Sequence, residues 1–200
     1  MIPRALRIFS ILLSLTCAGT ATSAVRQVIL DPGHGGHDRG AHKGYYFEKH
    51  LALDVSYRLE KFLESRGLKA TLTRTRDNFI SLDSRPSLSN RTRDAIFVSI
   101  HFNSAYRSGA AGIETFYYKS TSKNLARYIQ GNLIRSCRAT DRGVKYAAFR
   151  VLRLSKKPAC LVECGFMSNS RERAKCLDPA YRQRLAEAIG LGILAYKKAS

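Results

Sequence analysis

"ILDPGHGGHDRGAHKG", residues 29–44, stops an apolar run at Asp31-Pro32 and then places five glycines and three histidines between Gly33 and Gly44. The run before it, "VRQVIL", reads as a short buried strand ending at Asp31. Beyond it, from Glu48 to Arg66, apolar residues recur at Leu51, Val55, Leu59, Phe62 and Leu63. That spacing is one face of a helix, with Gly67 as its stop. The quoted stretch is therefore the loop of a strand–loop–helix unit. Its histidines are either incidental to a flexible turn or half of a metal site completed further along the chain.

The rest of the chain repeats this alternation. "LKATLTRT" follows the helix as a strand, and "AIFVSIH" (95–101) and "GIETFYY" (112–118) are further strands with a turn at Ser108-Gly109 between them. A helix is expected from about Ser122 to Cys137, a turn around Asp141-Arg142-Gly143, then strands near "RVLRL" (150–154) and "ACLVECG" (159–165). The last helix enters through Asp178 as cap and Pro179 in the first turn, and runs to about Lys197. Strands interleaved with helices predict a single α/β domain, a mostly parallel twisted sheet flanked by helices. In such sheets ligands bind beyond the carboxyl ends of the strands. His34, Glu48, His101 and Glu163 all map to that edge.

Bulk properties narrow the class. The chain has 200 residues, 44% of them hydrophobic, which suits one domain with a sizeable core. Arg4 and Arg7 precede "IFSILLSLTCAG", and Thr22-Ser23-Ala24 offers small residues for cleavage before Val25. Residues 1–24 thus read as a signal peptide and 25–200 as the working domain, exported to the periplasm or cell envelope. The apolar run is far short of the ~20 residues of a membrane-spanning helix, so no stable span is expected after cleavage. Cys17 is preceded by Ser14-Leu15-Thr16, a poor lipidation signal. Losing Arg4 and Arg7 lowers the formal charge from +19 to +17. Such a surface attracts polyanions. Export and the scatter of the basic residues argue against nucleic acid and leave anionic lipid or an acidic envelope polymer. Cys137, Cys160, Cys164 and Cys176 permit disulfides outside the cytoplasm in three connectivities, and no Cys-x-x-Cys pair suggests a cysteine zinc site.

Two imidazoles and a carboxylate, His34, Glu48 and His101, make a ligand set of the kind that catalytic zinc takes while keeping one position open. Glu163, in an apolar run where burial raises a carboxyl pKa, is the candidate general base and acid. Each residue also has a plainer reading. A histidine in a glycine-rich loop is unremarkable, Glu48 suits the first turn of a helix dipole, and His101 at a strand end can be a structural hydrogen-bonding residue. Glu163 is the odd one, since carboxylates are seldom buried without a partner.

The order of motifs "ILDPGHGGHDRGA", "EKHLALDVSYRLEKFLESRG", "TLTRTRD", "SLDSR", "DAIFVSIHFN", "GIETFYY", "DRGVKYAAFRVLR" and "PACLVECGFMSN" resembles the zinc-dependent N-acetylmuramoyl-L-alanine amidases of the amidase-3 family, from about Val25 to Tyr196. The resemblance implies that His34, Glu48 and His101 hold Zn2+ and that Glu163 is the catalytic carboxylate. It implies hydrolysis of the amide between N-acetylmuramic acid and L-alanine in peptidoglycan. Two alternatives are a zinc hydrolase of another stem-peptide bond and a peptidoglycan-binding protein without turnover. Arg85, Asn90 and Asn103 also match family positions; Arg85 and Asn90 are expected as framework and Asn103 as the one that touches substrate. Arg39 stands where the family often has Pro, a surface change expected to be harmless. His37 and His42 are expected in the loop or on the substrate side, and His50, two residues past Glu48, on another helix face. Cys160 and Cys164 share a strand face with Val162, opposite Glu163, and should not ligate. Between Lys119 and Ala148 there is room for one helix and a turn, too little for the plugging insert of some family members. A protein activator is possible but not implied.

Overall fold

The computed structural model describes residues 25–200, so the leader read over 1–24, Cys17 included, lies outside the described residues. The opening unit forms as its sequence directs. Strand β1 (Gln27–Pro32) leads through a loop carrying a two-residue hairpin, β2 (His42–Lys43) and β3 (Tyr46–Phe47), into helix α1 (Glu48–Ser65). Leu51, Val55, Leu59 and Leu63 are buried along one side of α1, and Gly67, at φ +72°, ends the helical run. The chain then makes β4 (Lys69–Leu72), a short α2 (Arg85–Arg91), β5 (Ala95–Asn103), β6 (Ile113–Tyr117) and α3 (Lys123–Cys137). It closes with β7 (Asp141–Tyr146), α4 (Arg150–Leu154), β8 (Ala159–Phe166), α5 (Ser170–Leu177) and α6 (Pro179–Ala199). Asp178 caps α6 by accepting from the Ala180 N–H.

Six strands form one sheet in the order β4-β1-β5-β8-β6-β7. Every neighbouring pair is parallel except β6 with β8. The α/β reading with a mostly parallel sheet flanked by helices is therefore correct. Two local expectations are not. "RVLRL" is the helix α4, not a strand, and Asp141-Arg142-Gly143 is not a free turn but the start of β7. Gly143, at φ +84°, sits where the β6–β7 register shifts between Ile113 and Thr115, so turn-forming residues make a bulge inside the strand.

The two faces of the sheet are covered unequally, and this positions the site. Val28, Leu30, Ile96, Val98, Ile100, Cys160, Val162 and Cys164 point into the larger core with α1, α3 and α6. Ile29, Phe97, Ala159 and Leu161 point to the opposite face, where Val151 and Leu152 of α4 and the partly buried Leu88 of α2 provide a smaller cover. Because side chains alternate along a strand, Asp31, His101 and Glu163 fall on this second face. The short helices leave its carboxyl edge open. Cys160 and Cys164 lie in the larger core, turned away from Glu163 as expected. Cys137, Cys160, Cys164 and Cys176 are all free thiols, only Cys137 being less than fully buried.

Candidate metal centre

Leaving β1 at Pro32, the chain donates once more to its neighbour, Gly33 N–H to the Ile100 carbonyl at 2.9 Å, and then turns sharply. His34 adopts φ +59°, a left-handed conformation that costs a non-glycine residue free energy and persists only where its surroundings enforce it. Two buried arginines do so. Arg85 donates to the carbonyls of Pro32 (2.8 Å) and His34 (2.7 Å), and Arg74 to those of Pro32 (3.1 Å) and Gly33 (2.7 Å). Arg85 also pairs with the fully buried Asp31 at 3.1 Å, whose other partners are Thr73 and Ser99. The framework role expected of Arg85 is thus a clamp on the histidine loop. Asn90 bridges to Leu154 and Lys156, holding the α4 segment.

Glu48, the first residue of α1, is buried and reaches across to β5. Its Oε1 accepts from the Phe102 N–H (2.9 Å) and faces His101 Nδ1 (2.9 Å) and His34 Nε2 (3.1 Å), while Oε2 accepts from the Ala41 N–H (2.7 Å). Burial opposes its ionisation, yet the hydrogen bonds from His101 and His34 prevail and hold the carboxyl well below the usual range. On the other side of His34, Nδ1 lies 2.9 Å from Asp38 Oδ2. An ionised carboxylate only accepts, so Nδ1 donates to Asp38 and a protonated Nε2 donates to Glu48; once the Nε2 proton leaves, that nitrogen's lone pair is free for a metal.

One ligand atom from each of His34, Glu48 and His101 lies within 4.8 Å of the others, and this trio could hold a metal ion. The donor set of two imidazoles and a carboxylate suits zinc, and the carboxylate behind His34 is the outer partner that orients metal-binding histidines. The backbone has been cleared to admit the trio. A Cβ on Gly33 would stand 2.6 Å from His101 Nε2, and one on Gly40 2.5 Å from His34 Cδ2 and 2.6 Å from Glu48 Oε2.

These side chains open into a cavity of about 370 Å³ that Asn103 and Glu163 also line, with an apolar wall of Leu82, Phe149, Val151 and Leu161. Two larger surface hollows elsewhere contain no histidine. Glu163 stands opposite His101 across the β5–β8 pair, and its Oε2 is enclosed without a hydrogen-bond partner. Burial first, then the nearby Glu48 and Glu114 carboxylates, push its pKa well above the ordinary value. The arrangement thus sets an ionised carboxylate beside one with high proton affinity.

All five residues singled out from the sequence, His34, Glu48, His101, Asn103 and Glu163, meet in this cavity. The other histidines do not. His37 stacks on Phe79, the exposed His42 has Nδ1 3.3 Å from the Gly40 carbonyl, and the exposed His50 is 3.6 Å from Asp77. The Arg39 guanidinium lies 5.2 Å from the Phe47 ring centre. Sequence reasoning missed Asp38 and Glu114. Asp38 had a signal, four residues after His34 in a loop too tight to carry it away; Glu114 was one acid in an alternating strand.

Known proteins resemble this chain in sequence and in fold. The family model described as N-acetylmuramoyl-L-alanine amidase, Amidase_3, matches residues 28–195. "Uncharacterized protein YqiI" of Bacillus subtilis (strain 168) is 36% identical over 202 residues, 98% of each chain. "N-acetylmuramoyl-L-alanine amidase LytC" of the same organism is 36% identical over 84% of this chain, which spans only 35% of LytC's length. The crystal structure of an N-acetylmuramoyl-L-alanine amidase from Clostridium difficile 630 superposes with a TM-score of 0.85 at 36% identity, covering 88% of this chain and 99% of that one.

Proposed function

The chain belongs to the Amidase_3 family of N-acetylmuramoyl-L-alanine amidases, and from that membership and the cavity we propose that it hydrolyses the amide joining the lactyl group of N-acetylmuramic acid to L-alanine in peptidoglycan. The observation that carries this reading is the convergence of His34, Glu48 and His101 beside the enclosed, unpartnered Oε2 of Glu163. The three ligands hold zinc, and Glu163 is the catalytic carboxylate. Zinc bound there supplies Lewis acidity, polarising an amide carbonyl and making water a stronger acid near neutral pH.

The protein's own groups do the rest. Glu48 contributes a negative charge already fixed by the Phe102 and Ala41 N–H groups, and the imidazole protons that face it would give way to zinc. Glu163 accepts a proton from the attacking water as its oxygen bonds to the lactyl carbonyl carbon. It then delivers that proton to the alanine nitrogen as the C–N bond breaks, leaving a lactyl carboxylate and a peptide with a free amino end. Burial raises the proton affinity of Glu163, which favours taking that proton and holding it until the nitrogen leaves. The wall of Leu82, Phe149, Val151 and Leu161 excludes water from one side of the bond.

Residues 1–24 serve as a cleaved export signal in this reading, delivering the domain to the envelope where the substrate lies. The basic surface, +17 after cleavage, retains it on the anionic wall. Substitution at two positions separates the roles. Glu48→Ala abolishes tight zinc binding in competition with a chromophoric chelator. Glu163→Gln binds zinc as wild type does but loses about 10²–10⁴ in kcat. A Glu163→Gln protein with undiminished turnover contradicts the assignment.

A further inference from the structure

Asn103 and Glu114 lie beside this centre on different strands and touch each other. Asn103 ends β5 and lines the cavity, whereas Glu114, on β6, stands opposite Glu163 in the antiparallel β6–β8 register. His101, Glu163 and Glu114 thus form one row across β5, β8 and β6. Glu114 is 4% exposed and outside the cavity lining. Its Oε1 accepts from Asn103 Nδ2 at 2.8 Å; its Oε2 accepts from Arg142 Nε at 3.0 Å and from Lys145 Nζ.

The Asn103 amide has a second contact, its Oδ1 accepting from the Ser104 N–H at 2.7 Å. These two partners have opposite polarity, which decides the orientation of the amide. Reversing it would set the NH2 group against an N–H and the carbonyl against a carboxylate, two repulsive contacts in place of two bonds. The side chain therefore cannot offer its two ends interchangeably. Nδ2 carries two hydrogens, and Glu114 takes one, leaving the other as a donor for a ligand in the cavity. We infer that Glu114 is a positioning residue that locks the Asn103 amide with its NH2 toward the substrate, making Asn103 a specific donor to a carbonyl oxygen of the muramoyl-peptide. Arg142 and Lys145 complete the lock by occupying the other oxygen of Glu114, so that the carboxylate is anchored on two sides. Arg142 is itself fixed, bonded to the Ala111 carbonyl and lying over the Phe166 ring.

The inference rests on the amidase reading for the identity of the ligand. It predicts that Glu114 and Asn103 act in series. Glu114→Ala and Asn103→Ala each lower kcat/KM on muramoyl-peptide by about 10- to 100-fold, the range for losing a hydrogen bond tied to a charged group. The double variant is no worse than Asn103→Ala alone. Glu114→Gln is damaged as Glu114→Ala is, because its single amide oxygen turns to the Arg142 and Lys145 donors and leaves an NH2 group facing the Asn103 NH2. All variants keep wild-type zinc affinity. Losses that multiply in the double variant overturn the inference, as does a folded Glu114→Ala with full kcat/KM. A Glu114→Gln with full kcat/KM also overturns it, as does any loss that appears in zinc affinity. If Glu114→Ala does not fold, Glu114→Asp, which withdraws the carboxylate from Asn103 by one methylene, replaces it in the cycle. Wild-type turnover on the same substrate separates the two failures: no product from wild type sinks the amidase reading, and an undamaged lock variant beside active wild type sinks this inference alone.

Discussion

Replacing Gly33 by Ala tests whether the proposed metal centre depends on backbone cleared for it. The added Cβ would lie 2.6 Å from His101 Nε2 and 2.7 Å from Nδ1. Non-bonded heavy atoms rest near 3.5–4.0 Å, so the imidazole or the loop must yield by about 1 Å. The imidazole has little room, because Glu48 Oε1 lies 2.9 Å from its Nδ1. The loop has little either, with Arg85 and Arg74 gripping the carbonyls on both sides of Gly33. A displacement of that size at a catalytic group costs about 100-fold in rate, or roughly 2.7 kcal/mol. Overpacking adds about 1–3 kcal/mol of lost stability. Zinc affinity by chelator competition, kcat/KM on peptidoglycan and urea denaturation measure the three effects. Gly131→Ala is the control, since its Cβ meets nothing within 4 Å in the body of α3. It should stabilise the fold by up to about 1 kcal/mol and leave zinc affinity unchanged. A Gly33→Ala protein with wild-type zinc affinity and kcat/KM refutes the reasoning.

Arg85→Met leaves the buried Asp31 carboxylate without its cation and the Ile80 and His34 carbonyls without this donor, Pro32 keeping Arg74, which should cost about 3–5 kcal/mol in urea denaturation. Adding Asp31→Asn should recover part of that loss, because no unpaired charge remains; strictly additive losses would contradict the clamp. Asp54 joins α1 to α6 through Arg182 (2.5 Å) and pairs within α1 with Arg58 (2.8 Å), and although partial burial opposes it, these hydrogen bonds hold its pKa below the ordinary value. A depressed acid stabilises the fold above its unfolded pKa and loses that contribution as pH falls. Asp54→Asn should therefore lower stability by at most about 1 kcal/mol at pH 7, a half-exposed pair being screened, and the gap in Tm should close as the pH falls through and below about 3.9. A gap that widens in acid contradicts the sign.

What the sequence disclosed follows from which signals are local. The β1–loop–α1 unit was legible because each boundary carries its own marker: Pro32, the glycines, the periodic apolar face and Gly67. The centre was legible because His34, Glu48, His101 and Glu163 sit at strand or helix ends that a parallel sheet brings to one edge. "RVLRL" misled because five residues cannot separate a period of 2 from one of 3.6, and tertiary packing of Val151 and Leu152 under β8 decides for helix. β7 was hidden by Asp-Arg-Gly, where a glycine bulge looks like a turn. Glu114 was hidden for another reason. Its partners lie 11 to 31 residues away on other strands, and only the sheet register aligns it with Glu163.

The most direct measurement is mass spectrometry of purified peptidoglycan digested by the metal-loaded protein, run beside a chelated sample and one restored with zinc. The account predicts free stem peptides with L-alanine at their amino ends and glycan strands bearing free lactyl carboxylates, absent with chelator and regained with zinc. Cuts within the stem peptide, or the same products after complete metal removal, would contradict it.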